Sequence, residues 1–90
     1  MPNTRSARKR VRIAERNRLR NKMYKTRIKT AIRRLEQALS GGDEGAIQTA
    51  LRRALSAIDR AALRGAIHRN AAARKKSRLM QRLKKLGRVS

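Results

Sequence analysis

The sequence predicts an all-α fold, a three-helix bundle from which a long, basic N-terminal helix protrudes. Three observations predict it. Apolar residues recur at helical spacing in three separate stretches. Glycines divide those stretches, at Gly41-Gly42 and again at Gly65. No stretch alternates apolar and polar residues in the manner of a half-buried strand.

Helix one is expected over about 5–40. Tyr24, Ile28, Ala31, Ile32, Leu35 and Leu39 fall on one stripe of a helix. Ser40-Gly41-Gly42-Asp43 ends it, because glycine accepts the left-handed conformation at a helix C-terminus. Asp43 is suited to cap the next helix. Helix two is expected over about 43–64, with Ile47, Ala50, Leu51, Ala54, Leu55, Ile58, Ala61 and Ala62 on one face and Gly65 as its stop. Helix three is expected over about 67–86. Its apolar face is thinner: Ala72, Leu79, Leu83 and Leu86, with a polar gap near Lys75 and Lys76. Pro2 interrupts none of these elements. The links are short, so neighbouring helices should run antiparallel. Thirteen large aliphatic residues from Ile28 to Leu86 supply one modest core, and residues 1–90 one domain.

Helix one outruns that core. At about 1.5 Å per residue it spans roughly 54 Å, against roughly 30 Å for each of the other two. Its leading half, ARKRVRIAERNRLRNK (Ala7 to Lys22), has only Val11, Ile13 and Leu19 as large apolar residues, and they form no continuous stripe. Basic residues point in nearly every direction around it. Such a segment is expected to fray alone and to be ordered by a partner.

The charge names the class of that partner. The chain carries 27 Lys and Arg against 5 Asp and Glu, a net charge of +22. A compact chain so charged repels itself and calls for a polyanion. The charge is segregated. Residues 1–34 hold 14 basic and 1 acidic residue, residues 35–63 hold 3 and 4, and residues 64–90 hold 10 and none. Two basic arms thus flank a near-neutral middle helix, which is expected to pack the core or face away from the partner.

Other chemistries lack their residues. There is no cysteine, hence no disulfide framework or thiolate metal site. The one histidine, His68, has no nucleophile and base arranged around it, so catalysis is not expected. No cofactor, metal or small-molecule substrate is expected. No apolar run approaches a membrane span, and the basic N-terminus lacks the apolar segment of a signal peptide; it reads as part of the mature chain rather than as a transit peptide. A membrane-active helix needs an apolar face that residues 5–22 do not have. His68 admits two readings, a helix-start residue with no further role or a contact to a phosphate or sugar. Asp59 reads as an ion-pair partner for a neighbouring arginine, and Tyr24 as the rim of the core.

The kind of nucleic acid can be narrowed. One tyrosine and no Phe or Trp argue against readers of single strands, which stack bases on aromatic rings. There is no zinc knuckle and no heptad zipper. Arg outnumbers Lys by 19 to 8, which suits bidentate phosphate contacts of fixed geometry. A helical wedge of this kind fits places where backbones crowd, as in folded RNA. A nucleoid-type protein that compacts duplex DNA is the competing reading.

The stretch DRAALRGAIHRNAAARKKSRL, Asp59 to Leu79, resembles the signature of one family, the twentieth protein of the bacterial small ribosomal subunit. SARKR (Ser6 to Arg10) and RLRN (Arg18 to Asn21) resemble that family's basic leader. The resemblance runs in order along the whole chain. It departs in the tail from Gly87 to Ser90 and in a basic set rich in Arg rather than Lys.

The resemblance implies a three-helix bundle with a long first helix and no enzymatic activity. It implies direct binding to 16S rRNA early in small-subunit assembly, against the 5′ domain and the long penultimate helix of the 3′ minor domain. Other small-subunit components would be its neighbours, and its place a cytoplasmic or plastid ribosome. Two RNA-facing surfaces follow for this sequence. One is the leader: Arg5, Ser6, Arg8, Lys9, Arg10, Arg12, Arg16, Asn17, Arg18, Arg20, Asn21 and Lys22, continued by Lys25 and Lys29. The other begins at Arg64 and runs through His68, Arg69, Asn70, Arg74, Lys75, Lys76, Ser77, Arg78 and Arg82.

Overall fold

Apolar spacing and glycine placement give three α-helices in the computed structural model, which describes residues 4–87. They are α1 (Arg5–Gly41), α2 (Glu44–Leu63) and α3 (Arg69–Lys85). Pro2 and the divergent tail beyond Gly87 lie outside the described residues.

Each boundary has a local cause. The Thr4 hydroxyl accepts from the Ala7 N–H at 3.2 Å and caps α1. Gly42 ends α1 at φ 75°, its N–H donating to the Ala38 carbonyl. Asp43 Oδ1 accepts from Gly45 N–H at 3.0 Å, so α2 starts one residue later than the pattern predicts. Gly65, at φ 76°, closes α2. Its N–H donates to Ala62, and that of Ala66 to Ala61, at 3.1 and 2.8 Å. This paired arrangement satisfies the last carbonyls of α2 and turns Ala66 back into the core beside Ala61.

α2 is the central element, packing against both α1 and α3. Ile47, Leu51, Ala54, Ile58 and Ala61 form its buried face. Ala54, Ile58 and Ala61 are fully enclosed, and the two alanines allow close helix approach. One apolar cluster joins Leu35 of α1 to Ile47, Leu51 and Ala54 of α2 and to Leu79 and Leu83 of α3. A second, nearer the α2–α3 turn, joins Ile28, Ile58, Ala61, Ala66 and Ala72. Tyr24 lies half-buried at its edge, as a rim residue.

Three expectations need correction. Leu86 is not core: it is 56% exposed, because α3 ends at Lys85 and Leu86 caps it beyond the last core layer at Leu83. Helix three starts at Arg69 rather than near residue 67, because His68 is its cap. Asp59 pairs not with a nearby arginine but with Lys76 of α3, at 2.9 Å. That pair bridges the polar gap between Ala72 and Leu79.

Candidate nucleic-acid interface

The leader is built by subtraction. Core contacts begin at Tyr24 and Ile28, so the part of α1 ahead of them has nothing to bury. Residues 5–20 are exposed, except for half-buried Ala7. Val11, Ile13 and Leu19 are 49%, 42% and 62% exposed, in keeping with the absence of an apolar stripe. The molecule measures 59 × 23 × 16 Å, and α1 accounts for its long axis at about 1.5 Å per residue. Arg5, Ser6, Arg8, Lys9, Arg10, Arg12, Arg16, Asn17, Arg18 and Arg20 all stand on this arm in solvent. Lys22, Lys25 and Lys29 follow, exposed alongside the bundle.

On α3 the buried face fixes the rest. Ala72, Leu79 and Leu83 turn inward, so Lys75, Arg78, Arg82 and Lys85, at steps of three, four and three, line one flank. Arg74 adjoins Arg78 one turn earlier. Ser77, Arg69 and Asn70 are exposed outside this stripe.

His68 has a definite local task. Its Nδ1 accepts the Asn70 N–H at 3.1 Å and caps α3. An accepting Nδ1 leaves the proton of the neutral ring on Nε2, as a donor. The first turn of α3 contains no acidic residue to occupy the positive end of its dipole. The capping role and an outward donor therefore coexist in one ring.

The two arms meet. Arg20 Nη2 donates to the Arg64 carbonyl at 3.4 Å, where the leader joins the bundle and the chain turns into α3. Besides Arg20, two cations of the expected set are engaged by carboxylates among the described residues. Lys76 holds Asp59, and Arg82 holds Glu36 of α1. Asn21 is half-buried, and its Oδ1 is enclosed without a hydrogen bond among the described residues, at the rim of the bundle rather than on the free arm. The expected set also passes over Arg27, Arg34, Arg53 and Arg60, which line one groove between α1 and α2. Their seven-residue spacing on each helix is the signal that could have found them.

The model of the family described as ribosomal protein S20 matches residues 2–84 of the chain. The chain belongs to the ribosomal protein S20 family. Relatives agree over nearly the full length. The small ribosomal subunit protein bS20 of Desulforamulus reducens is 51% identical over 96% of this chain and 98% of its own. That of Thermosipho melanesiensis is 52% identical over 94% of each, and that of a Roseiflexus species 51% identical over 94% and 92%. The S20 family is one of ribosomal structural proteins and not a class of enzymes. The three-helix bundle with its long first helix is the architecture that the signature DRAALRGAIHRNAAARKKSRL implied.

Proposed function

We propose that this S20-family chain is a structural component of the small ribosomal subunit that binds 16S rRNA directly and stabilises its fold during assembly. It acts by electrostatic clamping in the cytoplasmic (or plastid) ribosome. The observation that carries the reading is the union of two cationic arms on one rigid core. The leader projects cations to all sides, the flank of α3 presents Arg74, Lys75 and Arg78, and the Arg20–Arg64 contact joins them at one end of the bundle. Two RNA helices that repel each other can be held by such a pair of arms, each neutralising one backbone. The 5′ domain and the long penultimate helix of the 3′ minor domain are the segments assigned to the two arms.

Within the clamp, Arg74, Lys75 and Arg78 act as phosphate contacts, with the His68 Nε2–H and the first N–H groups of α3 completing an anion-binding helix start. Lys76 and Arg82 contribute less, since each already faces a carboxylate. The test is competition. The protein is bound to refolded 16S rRNA in moderate salt with magnesium and challenged with excess duplex DNA and unrelated structured RNA. Retention at about one protein per 16S molecule is the expected outcome. Removal by either competitor, with many proteins per RNA, would make it a generic polyanion binder such as a DNA-compacting protein.

A further inference from the structure

The groove between α1 and α2 lies outside both arms, and its rim is arginine. Arg27 and Arg34 stand on its α1 side, Arg53 and Arg60 on its α2 side, all exposed. The helices run antiparallel, so Arg27 lies opposite Arg60 and Arg34 opposite Arg53. The floor is small and uncharged, with Ala31, Ala38 and Ala50 between the two rims. α3 contributes nothing to the lining, and the Lys76–Asp59 and Arg82–Glu36 pairs lie outside it. Its one acidic residue, Asp43, sits at the end, where its carboxylate caps α2. The groove is open to solvent along its length, with a volume of about 900 Å³.

The leader points into it. On α1, Lys9, Arg16, Arg20, Arg27 and Arg34 follow one another at steps of seven, four, seven and seven. At about 100° per residue they fall within about 40° of one another around the helix. One file of cations therefore runs along α1 for roughly 37 Å at 1.5 Å per residue. Where it reaches the bundle, Arg53 and Arg60 join it from α2. Within the groove, the two rows of the rim each span seven residues, roughly 10 Å.

We propose that this groove is a third RNA-binding surface, seating a phosphodiester backbone that continues along α1 from the leader. The near-neutral middle helix then takes part in binding through Arg53 and Arg60 as well as supporting the core. Charge complementarity decides the occupant: four exposed guanidinium groups over a floor without large apolar side chains suit phosphates better than a protein side chain, which would need an apolar anchor pocket. The inference rests on the proposed binding to 16S rRNA.

The sequence has no cysteine, so one introduced thiol gives a unique tether for an iron-EDTA cleavage probe. Thr49→Cys places it in the groove and Ser77→Cys on α3, both at exposed positions. Each labelled full chain is bound to refolded 16S rRNA and backbone cleavage is mapped. In parallel, the double substitution Arg34→Gln with Arg53→Gln is titrated with salt, and its helix content is compared with the parent by circular dichroism. The expected result is cleavage of a short RNA segment from Thr49→Cys that Ser77→Cys does not cut. The double substitution should make the log–log salt slope shallower by about 2 and weaken binding on the order of 10- to 100-fold at about 0.1 M salt, with helix content unchanged. Cleavage from Ser77→Cys alone, with the slope unaltered, overturns the proposal while leaving rRNA binding intact, and the groove then faces solvent or an acidic protein segment. If neither probe cleaves and the parent chain is not retained, both readings fall together.

Discussion

The His68 ring caps α3 through Nδ1, and substitution can separate that role from the proposed contact of its Nε2–H with RNA. Asparagine can cap a helix through its side-chain oxygen; alanine cannot. His68→Ala should cost about 0.5–2 kcal/mol of stability in urea titration, and His68→Asn only a few tenths. If the Nε2–H also meets a phosphate or sugar, His68→Asn should still weaken 16S rRNA binding about 2- to 10-fold, the range of one lost hydrogen bond. Full affinity in His68→Asn would reduce the residue to its cap. The core answers differently. Ile58 is fully enclosed, so Ile58→Ala should cost about 2–5 kcal/mol, measured in the same titration. The Lys76–Asp59 pair, with side chains 41% and 60% exposed, should return no more than about 1 kcal/mol in a double-mutant cycle. Arg78→Ala should accordingly weaken rRNA binding more than Lys76→Ala.

At the scale of elements, α1 is two helices in one. From Tyr24 onward it is held by burial; ahead of that it is held by its own hydrogen bonds and the Thr4 cap. Arg8, Arg12, Arg16 and Arg20 stand at successive four-residue steps, and each such like-charge pair opposes the helix by about 0.2–0.5 kcal/mol. Glu15 is the only acidic residue in that half. Hydrogen exchange should therefore find amides of residues 8–20 fast in the free protein and protected on 16S rRNA, while those around Ile58 stay slow in both. Equal protection of the leader in both states would refute its ordering by RNA.

The helices themselves were legible because their signals are local. A 3.6-residue apolar period, Gly42 and Gly65 carry them, and all three form within two residues of where the pattern puts them. His68 as a cap was harder to see, since histidine is not among the usual capping residues. The partners of Asp59 and Glu36 could not be read from the sequence, because Lys76 and Arg82 reach them across helices and only the packed register sets that meeting. The groove arginines were overlooked for a related reason. Residues 35–63 are near neutral in sum, with 3 basic and 4 acidic residues, and a sum hides that Arg53 and Arg60 share one face while the carboxylates lie elsewhere or at the end.

At the scale of the whole molecule, a net charge of +22 on a body 59 Å long sets the character of binding. Neutralising phosphates releases their counterions, so affinity should be lost steeply as salt rises. The most direct measurement is the equilibrium affinity for refolded 16S rRNA across a salt series at fixed magnesium. With about ten phosphates neutralised, log affinity against log salt should fall with a slope of about −7 to −9, a loss of several orders of magnitude between about 50 and 200 mM. An affinity that stays flat across that range would contradict the electrostatic clamp.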